Sequence, residues 1–129
     1  MAKSVHNNVL DAMLNYIVDE CDQLCVCSAE PTTFAEATST YMLAISSVQD
    51  ISSTAPADGD VSGRKVTIPE NFSESTALTI TNGGTATHVA LVDQVGSILL
   101  YVTTCTSQSL IASGNVTVPA WDIEVRDPA

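Results

Sequence analysis

Basic residues are scarce in this 129-residue chain, which has four lysines and arginines against fifteen aspartates and glutamates and a formal net charge of −11. Proteins that bind phosphate backbones carry basic patches or stripes, and this sequence has none. We therefore expect no nucleic acid partner. Copies of so acidic a chain also repel one another, which favours a specific partner surface over diffuse association.

Long apolar runs are also missing. No stretch approaches the roughly 20 residues of a membrane-spanning helix, although 45% of the residues are hydrophobic and only 15% are charged. The amino end is too polar and too regularly patterned for a signal peptide, so we expect synthesis in the cytoplasm of the producing cell and no membrane partner. This composition argues against disorder and predicts a single domain over residues 1–129.

Familiar catalytic and ligand-binding patterns are absent as well. His88 precedes Asp93 by five residues in an apolar strand pattern, which puts the two side chains on opposite strand faces, and no serine lies in a G-x-S-x-G elbow. We expect His88 to hold one or two hydrogen bonds and His6 to be solvated. The DGD at residues 58–60 lacks the further oxygens of a calcium loop. The sequence thus predicts no enzymatic activity, no catalytic residues, no cofactor and no metal.

Cysteine is rare but clustered, because three of the four cysteines lie within residues 21–27. Their Cys-x3-Cys-x-Cys spacing matches neither paired zinc knuckles nor a Cys-x-x-Cys redox motif. One interpretation is that Cys25, Cys27 and Cys105 are small apolar residues inside strands. The alternative is a disulfide, either from Cys105 to one of the others or between subunits, and a metal site ranks third. The candidate crosslinking residues are Cys21, Cys25, Cys27 and Cys105.

Residues 4–20 predict an amphipathic helix, since apolar residues recur there at three- and four-residue spacing. Ser4 is its predicted N-cap. Beyond it, residues 23–28 alternate, with Leu24 and Val26 on one strand face and the two neighbouring cysteines on the other. The apolar helix stripe comprises Val5, Val9, Met13 and Tyr16 or Ile17, widened by Leu10 and Leu14.

The rest of the chain predicts a short helix, a loop and then a β-rich region. Thr33 followed by Glu36 resembles a capping box, which places the short helix within residues 31–46. Residues 46–63 are rich in small and polar residues and predict a mobile loop, with a possible short strand at 48–51. Residues 64–127 contain short β-branched runs separated by TNGG, DQVGS and ASGN turns. HVALVD, residues 88–93, is predicted to lie inside a sheet covered on both faces.

Together these elements predict a mainly β fold with α: an antiparallel β-sandwich or barrel preceded by an N-terminal amphipathic helix and a second short helix. Hairpin spacing of the strands and the helical start support this class.

Four stretches carry a resemblance to a known family: residues 7–37, from NNVLDAML to PTTFAEA; SGRKVTI at 62–68; GTATHVALVDQVGSILLYVT at 84–103; and SGNVTVPAWDIEVRDPA at 113–129. In this order they resemble a family of small structural proteins of tailed bacteriophages and prophages. The likeness covers nearly the whole chain apart from residues 46–61. More distantly, the chain is similar to small phage proteins labelled tail-fibre-like.

The resemblance implies a virion component without enzymatic activity. We expect a capsid decoration or cement protein, made in the bacterial host cytoplasm, that binds the outer head lattice and stabilises neighbouring major capsid subunits. A neck, tail or fibre-associated virion protein is the alternative. The expected partners are the major capsid protein and copies of this chain, with a trimer favoured over a dimer. Cys21, Cys25 and Cys105 raise the expectation of disulfide crosslinks in the particle.

Overall fold

The structure, a computed structural model, describes residues 4–127. Residues 128–129, which end the last stretch of the family resemblance, lie outside the described residues. The described part forms one α-helix and nine strands, all paired antiparallel. They are α1 (Asn7–Glu20), β1 (Gln23–Cys27), β2 (Met42–Ile45), β3 (Ala57–Asp58), β4 (Arg64–Ile68), β5 (Leu78–Thr79), β6 (Gly84–Asp93), β7 (Ile98–Leu110), β8 (Asn115–Val116) and β9 (Trp121–Val125).

The strands form three sheets, with orders β2-β1-β6-β7, β3-β4-β9 and β5-β8. The predicted mainly β class with a preceding helix is confirmed. The sheets do not close into a barrel. The predicted DQVGS turn joins β6 to β7, and the ASGN turn joins β7 to β8. Ser97 and Ser113 in these turns take left-handed backbone angles, with φ of 56° and 71°.

Strand β1 separates two apolar cores, because its side chains alternate between the two faces of the main sheet. Leu24 and Val26 lie in the larger core, and Cys25 and Cys27 lie in the smaller one. The predicted alternation of residues 23–28 is therefore confirmed over the strand. Residues 89–93 of β6, next to β1, are all buried, whereas His88 is only partly buried. The prediction that HVALVD is covered on both faces is therefore confirmed for residues 89–93.

Helix α1 begins at Asn7 rather than at residue 4. Its N-cap is His6, not Ser4: the exposed His6 Nδ1 accepts a hydrogen bond from the Asn8 N–H at 3.1 Å. The helix packs on β4 and β9. The predicted apolar stripe divides into a buried line and an exposed line on different sides of the helix. The buried line is Leu10, Leu14 and Val18, and the exposed line is Val9, Met13 and Tyr16.

The predicted short helix within residues 31–46 is a π-helical segment, Glu36–Thr40. Of the two hydrogen bonds that make up a capping box, only one is formed. The Thr33 hydroxyl accepts a hydrogen bond from the Glu36 N–H at 3.1 Å. The Glu36 carboxylate bonds to the N–H and hydroxyl of Thr32, not to Thr33. These bonds with Thr32 lower the pKa of Glu36. The chain then forms strand β2, which the helix prediction had overlooked.

The loop over residues 46–63 contains no strand at 48–51; its strand is β3, which pairs with β4. Ser46 and Ile51 are buried, so this end of the loop is part of the core. Gly63 closes the turn between β3 and β4 with φ +70°, and a Cβ there would lie 2.0 Å from the Val125 carbonyl oxygen. Only glycine fits that approach. The mobility of the loop stays a prediction.

A left-handed turn fastens the β4–β5 connection to the segment between β8 and β9. Asn71, Phe72 and Ser73 have φ of 51°, 52° and 65°, a conformation that disfavours side chains with a Cβ. Two hydrogen bonds offset this cost: the Asn71 N–H donates to the Val118 carbonyl at 2.8 Å, and the Val118 N–H donates to Asn71 Oδ1 at 2.7 Å. Phe72 is fully buried in the larger core.

Asn71→Ala should destabilise the protein by roughly 2–3 kcal/mol, since it leaves the buried Val118 N–H unpaired and removes a residue that tolerates the left-handed turn. Urea unfolding followed by circular dichroism measures the change. Asn82→Ala is the matched control, because the exposed Asn82 side chain donates one hydrogen bond to the Met42 carbonyl. Equal losses for the two variants would contradict the role of the Asn71 turn.

Candidate functional site

The four cysteine thiols are free. Cys21 belongs to the larger core, whereas Cys25 and Cys27 face the smaller core on the other side of the main sheet. Cys105 lies on β7, and β6 runs between β7 and β1. Strands two places apart are separated by about 9.6 Å, which exceeds disulfide reach. Of the four, only Cys105 is not buried, so a crosslink between subunits has to use it and stays a prediction.

Burial also makes the core thiols unreactive. Desolvation raises the pKa of Cys21 and of Cys25 to about 12, and that of Cys27 to about 11. Asp22 adds like charge beside Cys21 and acts in the same direction. Burial raises the pKa of Cys105 as well. A thiol needs its thiolate form for nucleophilic attack or metal binding, so the three buried thiols, Cys21, Cys25 and Cys27, are packing residues at neutral pH.

His88 and Asp93 are engaged separately. His88 Nδ1 lies 2.8 Å from the Thr87 hydroxyl. Asp93 Oδ1 accepts a hydrogen bond from the Gly96 N–H at 3.0 Å and so helps to close the β6–β7 turn. Five residues of strand separate the two side chains by about 16 Å. In residues 4–127, no three histidine, cysteine or acidic side chains are placed to hold a metal ion.

The exposed side of α1 carries apolar side chains that have no packing role in the described residues. Val9, Met13 and Tyr16 follow one another at four- and three-residue spacing, and each is more than half exposed, at 56%, 53% and 55%. Residues so spaced lie on one face of a helix and here extend over about 10 Å. We refer to these three residues as the helix stripe. None of the helices in the described residues is both long and apolar enough to cross a membrane.

Arg64 ties α1 to the sheet while the burial of Leu10, Leu14 and Val18 turns the helix stripe outwards. Its Nε donates to Asp11 Oδ1 at 2.7 Å, and its Nη1 donates to Asp58 Oδ1 at 2.7 Å. One guanidinium thus connects the first half of the helix, strand β4 and strand β3. This contact joins α1 to the sheet beside the buried line of Leu10, Leu14 and Val18.

The helix stripe leads into a pocket lined by carboxylates. Glu20 lies four residues beyond Tyr16 and therefore on the same helix face. The pocket has a volume of about 630 Å³ and is also lined by Cys21, Val48 and Val95. We call it the acidic pocket, and its carboxylates are Asp19, Glu20, Asp22, Asp50 and Asp93.

Long-range backbone contacts assemble the acidic pocket. Asp22 Oδ1 accepts a hydrogen bond from the Gln94 N–H at 2.8 Å, and the Asp22 carbonyl accepts one from the Gln49 N–H at 2.9 Å. Asp50 accepts from the Ser52 side chain and N–H, which lowers the pKa of Asp50. The sequence places Asp19, Glu20 and Asp22 together, but no local signal links Asp50 or Asp93 to them.

The chain matches no protein-family model, no curated protein and no solved structure. The described part offers an apolar stripe with acidic groups at one end, which is suited to binding another macromolecule.

One thiol in four should react quickly with 5,5′-dithiobis(2-nitrobenzoate) in the native protein, and all four should react after unfolding. Cys105 is partly exposed and the other three are buried. Absorbance of the released thiolate measures the count. Cys105→Ser should abolish the fast reaction, and more than one fast thiol in the wild-type protein would contradict the burial of Cys21, Cys25 and Cys27.

The free energy of unfolding should fall as pH rises above about 9. Unfolded cysteines ionise near their ordinary pKa of 9.0, while Cys25 stays protonated in the fold up to about 12. The unfolded state then binds fewer protons, and each such thiol lowers stability by about 1.4 kcal/mol per pH unit within that window. Urea titrations at several pH values measure the slope. Cys25→Ala should give a shallower slope than the wild-type protein, and identical slopes would exclude this effect.

Proposed function

We propose that this chain is a non-enzymatic structural protein of a tailed-phage virion. Within the particle it acts as a capsid decoration or cement protein that binds the outer head lattice and stabilises neighbouring major capsid subunits. The observation that carries this proposal is the helix stripe, an apolar surface held outwards on an acidic chain. The family resemblance of the sequence supplies the context of the virion.

The helix stripe is large enough for a weak contact and too small for a tight one. Fully burying an apolar side chain contributes about 1.5–3 kcal/mol. Val9, Met13 and Tyr16 each have about half of that area left to bury, so the three together contribute a few kcal/mol. A single contact of this size is transient, but a lattice offers many copies in fixed positions, and linked contacts raise the overall affinity. Such weak, repeated contacts suit a protein that covers a shell.

The charges beside the helix stripe indicate the chemistry of the partner surface. The acidic pocket lies at the Glu20 end of the stripe. A complementary groove on the major capsid protein would be apolar along its length and would carry lysine or arginine at one end. Two copies of this chain meeting stripe to stripe would bring additional carboxylates together, which opposes self-association through this surface.

The copy number of the protein per virion, relative to the major capsid protein, tests the proposal. Quantitative mass spectrometry of purified particles should give a number comparable to that of the capsid subunit. A handful of copies would instead indicate a ring or fibre set at the neck or tail and would overturn the decoration role. Absence from purified particles would overturn the virion assignment itself.

Met13→Gln together with Tyr16→Gln should lower occupancy on purified particles by roughly tenfold or more, since losing two apolar anchors costs about 2 kcal/mol per contact. Occupancy is measured by mass spectrometry at fixed protein concentration. Ile111→Gln is the matched control, because Ile111 is exposed at 77% and lies in the turn between β7 and β8 rather than on α1. An equal loss for Ile111→Gln, or no loss for the double variant, would exclude the stripe as the docking surface.

A further inference from the structure

Strand β7 leaves one of its edges unpaired. It has thirteen residues, pairs with β6 along one edge, and ends the order of the main sheet. In residues 4–127, no strand pairs with its other edge, and no backbone hydrogen bond from a loop or turn reaches β7. Its residues 104 and 106–109 are exposed. An edge of this kind presents a row of free N–H and C=O groups to another strand.

The opposite edge of the same sheet is covered. The N–H groups of Thr81 and Asn82 both donate to the Leu43 carbonyl of β2, at 2.8 and 3.1 Å. Ala44 forms an isolated bridge with Ile80. The chain thus protects one edge of its main sheet with its own backbone and leaves the other edge open.

The edges of the smaller sheets are protected in other ways. Strands β3, β5 and β8 have two residues each, which is too short to template a partner. Strand β9 carries the charged residues Asp122 and Glu124. Short length and charge are the usual devices that prevent pairing at an edge. Among the described strands, β7 alone is long and lacks such a device.

The sequence of β7 favours pairing. ILLYVTTCTSQSL contains no charged residue, no proline and no glycine. The whole chain, by contrast, has nineteen charged residues, four basic and fifteen acidic. It is rich in β-branched residues and hydroxyl side chains, which form favourable pairs across strands. Two copies can therefore approach along β7 without bringing carboxylates of this strand together.

An apolar groove runs beside the open edge. It lies between residues 103–110 of β7 and the segment at residues 116–122, and consists of two adjoining cavities of about 290 and 320 Å³. Val89, Cys105, Val118 and Pro119 line both cavities. Residues 116–122 thus lie beside β7 without pairing with it. A strand added to β7 would direct every second side chain towards this groove.

We propose that the free edge of β7 pairs antiparallel with β7 of a second copy of this chain, about a two-fold axis near the middle of the strand. The two main sheets then form one continuous sheet of eight strands. A two-fold contact uses the same edge on both subunits, whereas a cyclic trimer built by strand pairing needs a second open edge. The described chain offers only one such edge, so we propose a dimer in place of the expected trimer. The inference concerns a different surface from the helix stripe and stands independently of the virion proposal.

Light scattering after size-exclusion chromatography tests the dimer on the purified full chain. The wild-type protein should elute with twice the 13.5 kDa chain mass. Thr106→Lys places a cation on the open edge and should weaken dimerisation by roughly tenfold or more. Thr85→Lys is the matched control, because Thr85 is exposed on β6 and pairs with Ser109 on the edge of β7 that β6 already covers, and should leave the dimer intact. Circular dichroism checks that both variants fold.

Three results would overturn the proposal: a wild-type protein that is monomeric at every soluble concentration, a stable trimer, or a Thr106→Lys variant that dimerises like the wild-type protein. If the β7 edge instead binds a strand of another protein, the purified chain should be monomeric, which is the first of these results.

Disulfide trapping locates the axis. The wild-type Cys105 is compared with Thr103→Cys, Thr104→Cys and Thr106→Cys, each made in a Cys105→Ser background. Every protein then has one cysteine on β7, beside the three buried ones. Diamide takes two electrons and two protons from two thiols, which join in one S–S bond. Residues at the axis lie opposite their own copies, with Cβ atoms about 4.5–5.5 Å apart, so one or two of these positions should crosslink much faster than the others. Thr85→Cys in the same background is the control, and crosslinking there as fast as on β7 would overturn the pairing.

Discussion

The pairing of β1 with β6 is the interaction on which the rest of the structure depends. Five residue pairs, from Gln23 with Val92 to Cys27 with His88, fix its register, and both strands are buried on both faces over most of that length. Backbone groups in such a place have no access to water and have to bond to each other. The chain must then cover two faces of one sheet. Helix α1 and the smaller sheets cover one face, and the π-helical segment covers the other.

The elements that the sequence predicted correctly are those set by neighbouring residues. The alternation around Leu24 and Val26, the turns after β6 and β7 and the buried run in β6 all follow from local pattern. Strand β2 was missed because MLAI suits a helix as well as a strand, and only its pairing with β1 decides. The side of α1 that is buried could not be predicted either, since its apolar residues form two lines at helical spacing and only the packing of the helix on β4 and β9 selects between them. The acidic pocket depends on Asp50 and Asp93, which contacts distant in sequence bring together.

The described surface has two regions without an internal partner, and their chemistry differs. The helix stripe is apolar and ends in carboxylates, so it favours an apolar and basic partner. The edge of β7 is uncharged and offers backbone hydrogen bonds, so it accepts a strand of the same sequence. If both are used, one dimer carries two helix stripes at a fixed separation. Its binding to a repeating surface is then bivalent, and its affinity depends on how well that separation matches the repeat.

The ion pair between Arg64 and Asp11 also lies close to both ends of the described residues. Asp11 lies near the beginning of α1. Arg64, the first residue of β4, pairs with Val125, the last residue of β9. The Asp127 N–H donates to the hydroxyl of Ser62, two residues before Arg64. The other end of α1 meets the β6–β7 turn through Asp22 and Gln94. Residues 4 and 127 thus lie at the same pole of the molecule, opposite the acidic pocket. A peptide or reporter domain attached at residue 4 or at residue 127 would be displayed from that pole, which makes the described part suitable as a carrier with two neighbouring attachment points.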